Sequence, residues 1–145
     1  MTTLNFAAQI DDWVRKTKAR GDAVFRMSTQ DVIAAVDAGV PVDTGYLKNS
    51  GELRINAPLP VADRKPGDGP TKTDFVATIA NLKAGDYITY GYSAVYGPRV
   101  HWGFTGEDSL GRSINQTGNP WILRGVARWP EIVAANVAKA KTRVT

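Results

Sequence analysis

Phe6, Ile10, Trp13, Val14 and Thr17 fall at i, i+4, i+7, i+8 and i+11, one stripe along a helix, and predict a helix over about residues 4–19. A second apolar series, Val24, Met27, Val32, Ile33 and Val36, follows Gly21, with Ser28 and Asp31 spaced as a capping box. Residues 4–38 are therefore either two helices or one bent helix. The stop is sharper: Gly39 suits the left-handed position that ends a helix, and Pro41 cannot continue the hydrogen-bond ladder.

Beyond this stop the period shortens. Leu53–Ile55, Phe75–Ala80, Tyr87–Tyr92 and Tyr96–Phe104 are short runs rich in β-branched and aromatic residues, and read as strands. Residues 56–73 hold Pro58, Pro60, Pro66, Gly67, Gly69 and Pro70, and residues 105–119 are rich in glycine and asparagine with little apolar content, so both are expected to be mobile loops. From Pro120 the helical period returns through Trp121, Ile122, Val126, Trp129, Ile132, Val133 and Val137, with Pro130 bending the helix or starting a new segment. The predicted fold is α+β: N-terminal helices, a central antiparallel sheet of about four strands with long loops, and a C-terminal helix packed on the sheet. With 145 residues, this is one domain with one core.

Composition narrows the chemistry. An apolar fraction of 43% and a charged fraction of 22% are those of a globular protein, and no apolar run approaches the ~18 residues of a membrane span. The N-terminus lacks the basic start and apolar block of a secretory signal, so a cytoplasmic setting is expected. The absence of cysteine excludes disulfides and thiolate metal sites. His101, the only histidine, leaves a catalytic triad one place to start and would need carboxylates such as Glu107 and Asp108 to hold a metal. No catalytic, cofactor or metal site is assigned. The net charge of +4 admits an anionic partner, but Arg15, Lys16, Lys18 and Arg20, and later Lys139, Lys141 and Arg143, lie at helical spacing and read first as solvated faces.

Asp43-Thr44-Gly45 is the triplet of aspartic proteases, and one copy in a short chain is what a homodimeric, retroviral-type enzyme would carry. Such an aspartate leaves a buried apolar strand. Here the preceding residues 31–40 have helical period, and Tyr46 follows where a small residue is required. A structural reading explains more of the letters. Asp43 and Thr44 bond backbone amides in a turn, Gly45 takes a backbone angle closed to other residues, and Leu47 points to the core.

Pro41-Val42-Asp43-Thr44-Gly45-x-Leu47-x-x-Ser50, directly after a helix, resembles the signature of the tailed-phage gene-10-product-like family of siphophage head-tail connector, tail completion and minor tail proteins. Tyr96-Gly97-x-x-Val100-His101-Trp102-Gly103 is similar to a second segment of that family, with His101 where the family often has glutamate, and residues 120–127, PWILRGVA, are similar to the start of its final helix. The resemblance implies a structural virion protein, not an enzyme, assembled in the host cytoplasm and sitting at the neck or upper tail. It would form a ring homo-oligomer, commonly a hexamer, that contacts neighbouring neck and tail proteins and passing DNA, and no membrane. Tyr92, Tyr96, Arg99, His101, Trp102 and Phe104 are the candidate subunit interface, since aromatic and arginine anchors suit such contacts. Pro98 marks an edge strand on which Arg99 and His101 share the face opposite Val100. Trp13, Trp121 and Trp129 read as core. The alternatives are a basic nucleic-acid-binding module and the protease using Asp43.

Overall fold

The computed structural model describes residues 3–43, 45–60, 62–65 and 73–143. One helix, α1, runs unbroken from Thr3 to Gly39 over 37 residues, about 55 Å at 1.5 Å per residue. Gly21 lies inside it. A glycine within a helix costs about 1 kcal/mol relative to alanine. Two side chains just beyond it hold this part of α1 to the body: Asp22 accepts the Ala84 amide at 2.9 Å, and Arg26 donates to the Leu82 carbonyl at 3.0 Å. Ser28 and Asp31 are thus mid-helix residues and cap nothing.

After a 3-10 turn at Lys48–Ser50, β1 (Gly51–Ile55) pairs antiparallel with β2 (Ile88–Tyr92), Leu53 opposite Tyr90 and Gly51 opposite Tyr92. Between them lies the short helix α2 (Phe75–Ile79). Next come α3 (Gly97–Trp102), the antiparallel strands β3 (Phe104–Glu107) and β4 (Ser113–Gln116), then α4 (Trp121–Val126) and α5 (Trp129–Arg143). The protein is therefore a mixed α+β chain, but its strands form two separate two-stranded sheets and not one central sheet of about four.

Each departure has a local cause. Phe75–Ala80 is too short for periodicity to separate strand from helix. Asp74 decides it by accepting the Ala77 amide as an N-cap, and Phe75 and Ile79 then fall on one face toward the core. In the next segment Pro98 occupies the first turn of α3, where its fixed φ and missing amide suit a helix start as well as a strand edge. The segment expected to be a loop, residues 105–119, contains the β3–β4 hairpin. Asp108 organises its turn, taking the Leu110 and Arg112 amides at 2.9 Å each, and Gly111 adopts φ +76°. Of the other expected loop, residues 61 and 66–72 lie outside the described residues. Around them, Arg64 bridges Ala94 beyond β2, and Thr73 bonds Gly51 and Leu53 on the free edge of β1.

The C-terminal helix packs on α1, not on the sheet. The face of α5 turned inward is Ile132, Asn136 and Ala140, and Asn136 donates to Ser28 Oγ at 3.2 Å and Asp31 Oδ2 at 2.9 Å. Such a face matches α1, where Ser28 and Thr29 are themselves buried, better than the aromatic face of β2. Pro130 opens α5 as a new segment.

The core is built along the second half of α1. Ile33 meets Leu53, Ile79 and Leu82, while Val36 and Val40 meet Leu47, Tyr92, Ala94 and Trp121. Between α4 and α1 the backbones nearly touch. A Cβ on Gly125 would stand 2.4 Å from Val36 Cγ2 and 2.8 Å from its Cα, whereas one on Gly21 would meet nothing within 4 Å. Alanine substitution at the two glycines should therefore act with opposite sign. Gly21→Ala is expected to raise stability by about 0.5–1 kcal/mol through helix propensity. Gly125→Ala is expected to lower it by about 1–3 kcal/mol through overpacking, despite the same propensity gain. Urea unfolding of both variants checks this; equal signs would show that α4 does not sit this close to α1.

Candidate interaction site

The corner after α1 places α3. Gly45 takes φ +84°, its carbonyl accepts the Asn49 amide at 3.0 Å, and Leu47 turns into the core. Ser50, buried, donates to the Leu47 carbonyl at 2.6 Å and accepts the Ala94 amide at 3.2 Å, while its own carbonyl takes the Ser93 amide at 3.0 Å. These bonds bring the corner against the chain that enters α3. Pro41 is half-buried, and Val42 and Asp43 are exposed; Thr44 lies outside the described residues. Asp43 follows a helix on an open bend, not a buried strand.

Because residues 97–102 are helical, their faces differ from those of a strand. Gly97 and His101 face inward, Val100 is half-buried, and Arg99 and Trp102 face outward, so Arg99 and His101 do not share a face. His101 is only 5% exposed, although a solvent-facing or neighbour-facing place was expected for it.

Five rings follow one another through the molecule. Tyr90 meets Tyr92 at 5.5 Å, Tyr92 meets Trp121 at 5.5 Å, Trp121 meets His101 at 5.0 Å, and His101 meets Trp102 at 4.3 Å, all edge-to-face. The series begins at Asp37 of α1, which accepts the Tyr92 hydroxyl at 3.0 Å. It ends on Trp102, 68% exposed. Burial pushes the Tyr90 hydroxyl up to about 12 and raises that of Tyr92 further, so both phenols stay protonated donors beside the Asp37 carboxylate.

Where the ring series reaches the surface it lines a hollow of about 250 Å³, walled by Tyr92, Pro98, His101, Trp102, Trp121 and Leu123. Polar atoms are buried behind its walls. Both His101 ring nitrogens and Trp121 Nε1 are buried without a hydrogen-bond partner among the described residues. Such a hollow, apolar at its surface, suits an apolar side chain.

The six candidate interface residues thus divide three ways. Tyr92, His101 and Trp102 share the hollow. Tyr96 stacks obliquely on Tyr46 at 6.3 Å, beside a second hollow of about 260 Å³ that runs over Pro41–Asp43. Arg99 lies 4.0 Å over the Phe104 ring, a cation–π contact joining α3 to β3. Sequence reasoning assigned Trp121 to the core, where it is, but missed that its indole edge and Leu123 also line the hollow. Trp13, expected in the core, is 64% exposed. Asp108 is engaged by Arg112 within the hairpin turn, away from any pairing with His101, and no group of three or more potential metal ligands is gathered among the described residues. No described helix is long and apolar enough to cross a membrane. The chain matches no protein-family model, no curated protein and no solved structure.

Burial first, and the neighbouring Arg124 charge second, hold His101 below the ordinary histidine value of 6.5. The unfolded chain therefore binds the extra proton first as the pH falls. The stability that neutral His101 contributes is fully present above about pH 6.5 and drains as the pH drops toward the lowered value, at up to about 1.4 kcal/mol per pH unit. His101→Phe should flatten the stability–pH curve between about pH 7 and 5, measured by urea unfolding at stepped pH. An unchanged slope would assign that dependence to carboxylates.

Proposed function

We propose that the chain is a structural virion protein of a tailed bacteriophage, working by subunit assembly as a ring at the head-tail joint, in a connector, terminator or tail-completion role. The observation that carries this reading is the aromatic hollow with exposed Trp102 and Leu123 at its mouth. A solvent-facing tryptophan beside an apolar hollow is the kind of anchor-and-pocket surface that protein interfaces use. The Pro41–Ser50 corner that carries the family resemblance is what positions this surface.

One observation favours a second reading. Arg20 and Lys141, from the two basic stretches of the sequence, line the same groove between α1 and α5, and two cations brought together suit a phosphate backbone. The protease reading has less support, since Asp43 sits on an exposed bend after a helix.

Light-scattering mass across protein concentration and salt tests the proposal. A closed ring, or a monomer that assembles on purified tails, is the expected result, and Trp102→Ala should raise the concentration needed for assembly about tenfold or more while barely moving Tm. A chain that stays monomeric alone and with tails, or binds DNA with a steep salt dependence, would overturn it. So would a dimer that cleaves peptides and loses that activity in Asp43→Ala.

A further inference from the structure

The first half of α1 carries an apolar stripe that no described residue covers. Phe6 is 60% exposed, Ile10 46% and Trp13 64%, all on one helical face. The same chain also holds an open apolar groove of about 490 Å³ between α1 and α5, formed by Phe25, Trp129, Val133 and Val137 with Arg20 and Lys141. We infer that the stripe Phe6–Ile10–Trp13 of one copy docks into the α1–α5 groove of a second copy, a head-to-tail contact in which every subunit gives an arm and receives one.

Length and charge support this occupant. Phe6 to Trp13 spans about 10 Å of helix, and the α1 wall of the groove, Arg20 to Ser28, about 12 Å. Of the two charged side chains between Thr3 and Val14, Asp12 is held by Arg15 and Lys16, and Asp11 is left to meet a groove lined by Lys141. The arm cannot serve its own groove, because arm and groove wall belong to one continuous helix and the arm points away from the wall. The groove's apolar floor suits a helix better than a phosphate backbone. Such a contact is heterologous, so it closes into a ring or runs on as a filament.

This inference rests on the self-association part of the proposed function and on nothing specific to a virion. The chain has no cysteine, so a pair can be introduced cleanly. In Ile10→Cys/Val137→Cys both sites are surface positions, and Val137 is 36% exposed. The variant is oxidised mildly, its covalent mass is read on a denaturing gel, and its mass before oxidation is read by light scattering. A ladder of linked dimers, trimers and larger species is the expected result. A link confined to one chain would overturn the inference by showing that the arm folds back on its own groove. Unlinked oligomers would overturn it too, while leaving self-association standing on another surface. A monomer with both thiols free would sink self-association as well. If duplex DNA then shields the thiol introduced in place of Val137 from alkylation, the groove belongs to nucleic acid.

Discussion

The contact between Gly125 and Val36 sets the geometry of most of the molecule. With no side chain on Gly125, α4 lies directly on the α1 backbone, and Trp121 at the start of α4 is driven into the core until it is 1% exposed. From there its indole meets Tyr92 on one side and His101 on the other, so the β1–β2 hairpin and α3 are both located by the same ring. Trp102 stands at the surface because its neighbour His101 is held inward. A widening between α4 and α1 would be felt along this whole series, since packed interiors transmit displacement.

The α1–α5 contact obeys a different logic. Ser28, Thr29 and Asn136 are fully buried there, and the Asn136 amide group is shared between Ser28 and Asp31. Burial of polar groups gains little net stability, but a mismatched sliding of α5 along α1 would break both bonds of the Asn136 amide group and leave it and Ser28 buried without each other. The interface is therefore better suited to fixing register than to adding strength, and it leaves the apolar side chains Trp129, Val133 and Val137 at its margin.

What was readable in the sequence was whatever depends on long periodicity or on a strong stop. The helical stripes of α1 and the C-terminal segment, and the end of α1 before Pro41, needed only local physics, although Gly39 is the last residue of α1 and does not take the left-handed angle expected of it; a Cβ there would stand 3.4 Å from Trp121 Cβ. The five-residue strands β1 and β2 were legible from β-branched and aromatic composition alone. The same kind of composition misled at Phe75–Ile79 and Gly97–Trp102, which are decided by a cap at Asp74 and a proline at the start of α3. The reversal at α3 carried the candidate site with it: a period of 3.6 instead of 2 buried His101 and separated it from Arg99. Periodicity also marks which residues share a face without saying what covers that face, and so Trp13 read as core although no described part of its own chain lies over it.

Gly21 has one further consequence. A helix is stiff, and where half of it stands clear of the body, the angle at which it leaves is set by the least rigid link near its base. Gly21 is that link: it has the weakest helical preference of any non-proline residue, and no neighbour crowds the space a side chain would fill. A bend at this point would be levered outward along the helix to Phe6 while Val36 and Trp121 stayed where they are.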